Sequence, residues 1–230
     1  MDYELTWGYG EKSEWVDALL LAANSLRSAR RSVVENGNTQ IVPTMVDHAQ
    51  RCADVLMEGL MAREIDAIRE RLTPLVSNFI EKQRLSDTPP MCKNGSTSAG
   101  LMDSLTNVFS PESFVDLVTT KFLHEQTADL SRPAIVVGPA SVGLLLGGLL
   151  TSAHSRSAMG KTHAWKLGGI VTNPSDFPDS VVDQVPAESC FIPDAEPDCP
   201  VYLIEDIVGN TLRRATETMH ACFPHLNLQF

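Results

Sequence analysis

The chain has 230 residues, 43% of them hydrophobic, with 18 Lys and Arg against 29 Asp and Glu, a formal net charge of −11. That length supports one large domain or a domain with an extension, and the acidic balance argues against non-specific binding to nucleic acid or anionic membranes. Five cysteines (Cys52, Cys92, Cys190, Cys199, Cys222) show no C-x-x-C spacing, so neither a zinc site nor a disulfide framework is indicated, and free thiols in a reducing cytoplasm are expected.

No basic segment followed by an apolar core opens the chain, so no signal peptide is expected. Residues 11–35 read as a helix, because Trp15, Leu19, Ala22, Leu26, Ala29 and Val33 recur at spacings of three and four. Asn36-Gly37-Asn38 ends it. A second helix is expected from Thr44, read as an N-cap, with a stripe of Val46, Ala49, Ala53, Leu56, Leu60, Ile65 and Ile68. Pro74 is expected to break or kink it before Leu75–Leu85 continues as helix. Residues 86–100, SDTPPMCKNGSTSAG, have linker chemistry and are expected to be mobile. Ser110 and Pro111 mark the start of another helix.

The texture changes at Ser131. Ala134–Val137 is a short β-branched strand, Gly138-Pro139 a turn, and the run from Ala140 to Leu150 a small-residue helix, too short to span a bilayer. Residues 157–169 are basic and Gly-punctuated and are expected to be mobile. The Pro-rich acidic stretch after them reads as loops with one or two short strands. Val201–Ile204 is a second apolar strand, Thr211 onward a helix, and HLNLQF a last strand. Strands alternating with helices predict an α/β fold with a mostly parallel sheet, preceded by an α-helical N-terminal region. The division expected is a helical region over residues 1–100 and an α/β domain over residues 101–230.

Ligands of open parallel sheets sit at the carboxyl ends of the strands. Gly138, Pro139, Ala140 and Ser141 follow one strand and lead into a helix whose free N–H groups favour an anion. The other reading is a tight turn built for packing. Glu205 and Asp206 close the second strand, where two carboxylates can accept hydrogen bonds from vicinal sugar hydroxyls or hold Mg²⁺. Gly209, Asn210 and Thr211 open the next helix and can cradle a phosphate. The plainer reading makes Asp206 or Asn210 an N-cap. Arg30-Arg31, Arg69 and Arg71 read as solvated helix faces. Asp47-His48 and Glu64-x-Asp66 have no named metal-binding partner, and Ser141 lacks the spacing of a hydrolase nucleophile.

VYLIEDIVGNTLRRA resembles the sugar-binding motif of the type I phosphoribosyltransferases, of the orotate phosphoribosyltransferase kind, and AIVVGPASVGLLLGGLL resembles their diphosphate-binding loop and helix. The resemblance covers roughly residues 130–230. It departs from the family in a Gly209-Asn210-Thr211 loop about two residues short, in Glu205 where Asp is commoner, and in ending at Phe230 without the family's further strand and base-covering loops. It implies a Mg²⁺-dependent transfer of phosphoribose from phosphoribosyl diphosphate to a nitrogenous base, in nucleotide synthesis or salvage. It implies Glu205 and Asp206 on the ribose and metal, and the turn 138–141 on the diphosphate. It places a basic hood between the motifs, which here makes Lys161 and His163, with Asp206, the catalytic candidates and Arg156 a cation on the diphosphate. Trp165 either stacks on a base or anchors the hood. The expected partners are these small molecules and a second copy in a homodimer, with no nucleic acid and no membrane. The alternatives are a non-catalytic regulator or binding subunit of the same fold, and a different nucleotide-binding α/β enzyme such as a methyltransferase.

Overall fold

The computed structural model describes residues 12–85, 110–120, 131–157, 160–172, 187–194, 199–204 and 210–229. Three helices come first: α1 (Lys12–Asn36), α2 (Val42–Ala62) and α3 (Ile65–Gln83), with a single 3₁₀ turn at Thr39–Ile41 between α1 and α2. The α1 stripe from Trp15 to Val33 is buried as its spacing requires. α2 starts at Val42 with Pro43 in its first turn, so Thr44 lies inside the helix and does not cap it. The break in the long apolar stripe falls at Arg63-Glu64. Arg63 adopts a left-handed backbone (φ 60°), and the Glu64 N–H reaches back to the Gly59 carbonyl at 2.9 Å. Gly59 makes the hairpin possible, since a Cβ there would lie 2.2 Å from Ile68 Cγ1. Pro74, expected as the break, sits inside α3 on its exposed side, where the missing N–H costs little because water reaches the freed carbonyl.

Next come α4 (Pro111–Asp116), β1 (Ala134–Pro139), α5 (Val142–Arg156), β2 (Trp165–Ile170), β3 (Cys190–Phe191), β4 (Pro200–Leu203), α6 (Asn210–Cys222) and β5 (Asn227–Gln229). Ser110 caps α4 as expected, its Oγ accepting from the Ser113 N–H at 3.2 Å. The sheet order is β3-β2-β1-β4-β5. β1 pairs in parallel with β2 and β4, β4 in parallel with β5, and only the two-residue β3 runs antiparallel. β1 is central and buried along its whole length, which is why it reads as an unbroken apolar run. Ile135 and Val137 face α6, together with Ile170, Val201, Ala215 and Met219. The other face carries α5 and, over it, the N-terminal helices.

Trp15, Phe114, Leu56, Leu149, Leu167 and Val171 belong to one buried cluster that also holds the α1–α3 stripes. The helical region therefore shares its core with the α/β part, and the contact between α2 and α5 is the most extensive among the described elements. The expected boundary near residue 100 lies outside the described residues, as does the 86–100 stretch. The expectation of a mobile segment over 157–169 is corrected in its second half. Residues 165–170 are strand β2, and 167–170 are buried. Gly168 and Gly169 hid that strand from the sequence pattern; they are small because Phe191, Val137, Val46 and Leu144 press on that stretch from both faces.

Candidate functional site at the carboxyl edge

β1, β2, β4 and β5 are parallel, so their carboxyl ends share one edge. The Ile204 N–H donates to the Val137 carbonyl (2.9 Å), and the Ala140 N–H donates to the Ile170 carbonyl (2.8 Å). These bonds bring the ends of β4 and β2 to either side of the end of β1, and they correct the expected Gly138-Pro139 turn: both residues are still strand, paired with Gly169 and Ile170, and the turn is Ala140-Ser141. The turn is tight. A Cβ on Gly138 would lie 2.1 Å from the Gly143 carbonyl oxygen and 2.5 Å from Leu144 Cα, both in the first turn of α5. Ser141 is the N-cap residue of α5, yet its side chain makes no capping bond. The Ser141 side chain thus leaves the first N–H groups of α5 uncapped, an arrangement that favours an anion.

Glu205, Asp206 and Gly209 lie outside the described residues, so their side-chain geometry is not part of this site. They follow Ile204 directly in the chain. Asn210 and Thr211 open α6, as the sequence predicts, with five residues between β4's flanking Ile204 and the helix. Among the described residues no group of three or more His, Cys, Asp or Glu is gathered as a metal site.

Arg156, Lys161 and His163 are not brought to this edge. α5 starts at the carboxyl edge and runs about 22 Å to Arg156, at 1.5 Å per residue. Arg156 there donates to the Asp54 carbonyl (3.1 Å) and lies 4.0 Å from Glu58. Lys161 and His163 precede β2, whose first residue Trp165 pairs with Ala134 at the start of β1. They therefore belong to the amino edge, opposite the turn. The order of features along the chain suggested a hood; the parallel pairing of β1 and β2 decides the edge. Trp165 is an anchor: its ring stacks on His154 (4.2 Å), and its indole N–H donates to the Arg132 carbonyl (3.1 Å). Lys166 donates to the Asp194 carbonyl (2.8 Å).

Beyond the end of β2 the structure joins Thr172, which sequence reasoning passes over, to Arg30, which it reads as part of a solvated helix face. Thr172, two residues beyond β2, is fully buried, and its Oγ1 has no hydrogen-bond partner among the described residues. Its carbonyl accepts from Nε (3.3 Å) and Nη2 (3.2 Å) of Arg30 on α1. Arg31, its neighbour, does form a surface pair with Glu35 (2.8 Å). The one signal in the sequence is that Arg30 stands four residues after Leu26 and three before Val33, on the border of the buried stripe.

His48 is a core residue. Its ring stacks on Phe79 (3.9 Å), and the Ser25 hydroxyl, which donates to the Ala22 carbonyl (2.7 Å), accepts from its Nε2 (2.8 Å). Burial, reinforced by the nearby Arg51 charge, lowers its pKa to about 4. Asp47 pairs with Arg51 (2.9 Å) and Arg71 with Glu58 (2.8 Å) on the surface, as solvated helix faces should. No helix among the described residues is long and apolar enough to cross a membrane. No family model, curated protein or solved structure matches the chain.

Proposed function

We propose that the protein binds phosphoribosyl diphosphate at the carboxyl edge of its sheet and transfers phosphoribose to a nitrogenous base. The observation that carries this reading is the pairing of two strand ends. The central strand β1 runs into a tight turn at an uncapped helix, and the bond from Ile204 to Val137 sets beside it the strand that leads into Glu205-Asp206. A diphosphate and a ribose lie a few ångströms apart in one such ligand, and the two strand ends offer N–H groups to the first and carboxylates to the second.

In this reading the end of β1 at Gly138-Pro139, the turn Ala140-Ser141 and the first N–H groups of α5 hold the leaving diphosphate. Glu205 and Asp206 accept from the ribose hydroxyls, and the N-terminus of α6 at Asn210-Thr211 holds the 5′-phosphate. The base nitrogen bonds to C1 through its lone pair as the bond from C1 to the diphosphate oxygen breaks, the diphosphate leaves with the electron pair, and the proton of an N–H base is lost to water. Glu205 and Asp206 would hold a Mg²⁺, which would supply positive charge to offset that on the leaving diphosphate. A second reading, a non-catalytic binding subunit, is favoured by the five-residue span between Ile204 and α6, which is short for a phosphate nest.

The test is calorimetry with phosphoribosyl diphosphate and Mg²⁺ on the wild type, Glu205→Gln and Asp206→Asn, followed by turnover with a panel of bases. Loss of one charge-assisted bond should weaken binding about ten- to a hundredfold. Equal binding by both variants would remove the carboxylates from the site. Binding without turnover on any base would select the second reading.

A further inference from the structure

The helix α6 carries the run Leu212-Arg213-Arg214-Ala215-Thr216. Adjacent arginines stand at 30–31 and at 213–214, and only the second pair is followed, after one residue, by a hydroxyl side chain. In a chain of net charge −11 that pair is a local inversion of sign. Guanidiniums three and two residues before a Ser or Thr match the acidic substrate groove of a basophilic protein kinase, whose carboxylates take them in charge-assisted, two-pronged bonds.

A kinase groove reads an extended segment, so α6 must peel from the sheet before the hydroxyl can react. Its packing suits it to do so. Among its described side chains only Ala215, Thr218 and Met219 are buried, and Met219 alone of these is large and apolar. Ala215 and Met219 join Ile135, Val137, Ile170 and Val201 in a small core separate from the large one, in which α2 buries Met45, Val46, Leu56, Met57 and Leu60. Few buried apolar contacts give a low cost of local opening. Thr216 is half-buried, its Oγ1 donates to the Leu212 carbonyl (2.9 Å), and Arg213 pairs with Glu217 (2.9 Å). Both bonds are internal to α6 and are released together when the helix opens.

We propose that Thr216 is a phosphorylation site for a basophilic Ser/Thr protein kinase, with Arg213 and Arg214 as the recognition pair. Thr216 Oγ1 bonds to the γ-phosphorus of ATP as the bond from that phosphorus to its bridging oxygen breaks. ADP leaves with the electron pair, and the hydroxyl proton passes to the kinase's carboxylate base. The phosphate replaces the donor to the Leu212 carbonyl with a charge of about −1.5 to −2, next to Glu217 in the chain and one turn from Arg213. It competes with Glu217 for Arg213 and loosens α6 on the sheet. The inference goes beyond the function proposed above and does not depend on it.

The experiment treats the full chain with the catalytic subunit of cyclic-AMP-dependent protein kinase and Mg-ATP and maps phosphate by mass spectrometry. The heat-unfolded chain is the reference for unrestricted access, and circular dichroism checks the fold of each variant. The folded chain should take up phosphate at Thr216. Thr216→Val should lower incorporation to background, and Thr216→Ser should keep it. Arg213→Gln combined with Arg214→Gln should slow it about tenfold or more, while Arg31→Gln stays within about twofold. If the double Gln variant does not fold, the double Lys variant, which keeps the charges without the two-pronged bonds, decides by the same loss of rate. Phosphate on the heat-unfolded chain alone would show that α6 does not open and would overturn the proposal. So would incorporation only at other residues, none on either form, or incorporation at Thr216 indifferent to both arginines. In the modified protein, hydrogen exchange of the α6 amides should quicken and that of α2 stay the same; unchanged exchange in α6 would overturn the loosening.

Discussion

Gly138→Ala puts the close approach of the end of β1 to α5 to a direct test. The new methyl would sit 2.1 Å from the Gly143 carbonyl oxygen, 2.3 Å from its carbonyl carbon and 2.5 Å from Leu144 Cα. All three are backbone atoms of α5, so no side chain can swing away. Relief requires moving β1 or the start of α5. β1 is pinned by its ladders to β2 and β4 and by the bonds through Ala140 and Ile204. Overpacking where side chains can yield costs about 1–3 kcal/mol, so the expectation here is about 3 kcal/mol or more. A domain is stable by only about 5–15 kcal/mol, so the loss should be plain. Gly147→Ala, inside α5, is the control. Its methyl would meet Leu167 Cδ1 at 2.9 Å and Val136 Cγ1 at 3.3 Å, the ends of side chains. The strain there is offset by about 1 kcal/mol of helix propensity, leaving a net change within about 1 kcal/mol. Urea unfolding followed by circular dichroism measures both variants. A Gly138→Ala protein no less stable than Gly147→Ala would refute the close approach of the turn to α5.

Stability should fall with acid because His48 is buried neutral. Its folded pKa is about 4 against 6.5 for the free group, so the unfolded chain takes up the proton first. The stabilisation is complete above the unfolded pKa and is lost as pH falls from 6.5 towards 4, at about 1.4 kcal/mol per pH unit. His48→Gln should flatten the dependence of unfolding free energy on pH over that window, and identical slopes would contradict the assignment. Burial pushes the Cys52 thiol up to about 12, so alkylation at pH 8 should reach Cys52 only on unfolding; rapid labelling in the native state, read by mass spectrometry, would count against its burial. Combined substitution of Arg156, Lys161 and His163 by Ala should leave phosphoribosyl diphosphate affinity within about twofold, because all three belong to the amino edge. A tenfold loss in calorimetry would return them to the site.

Local pattern alone determined most of the elements. The stripes of α1 and α2, the Ser110 cap of α4, and the apolar runs of β1 and β4 are signals carried within a few residues, because burial on one helix face or both strand faces fixes which residue types can stand there. The end of β1 was legible to within two residues for the same reason, since Gly138 and Pro139 continue the strand and the turn is Ala140-Ser141. The hairpin at Arg63-Glu64 was not, since a left-handed arginine carries no turn residue to mark it, and its need arises only when Gly59 meets Ile68. β2 was obscured by glycines whose smallness answers to neighbours on other elements. The edge on which a loop emerges depends on strand direction and helix length together, so the basic residues 156–163 could be placed only by the parallel register of β1 and β2. The reach of Arg30 to Thr172 was beyond the sequence altogether, because a contact across 142 residues exists only after the helices pack on the sheet.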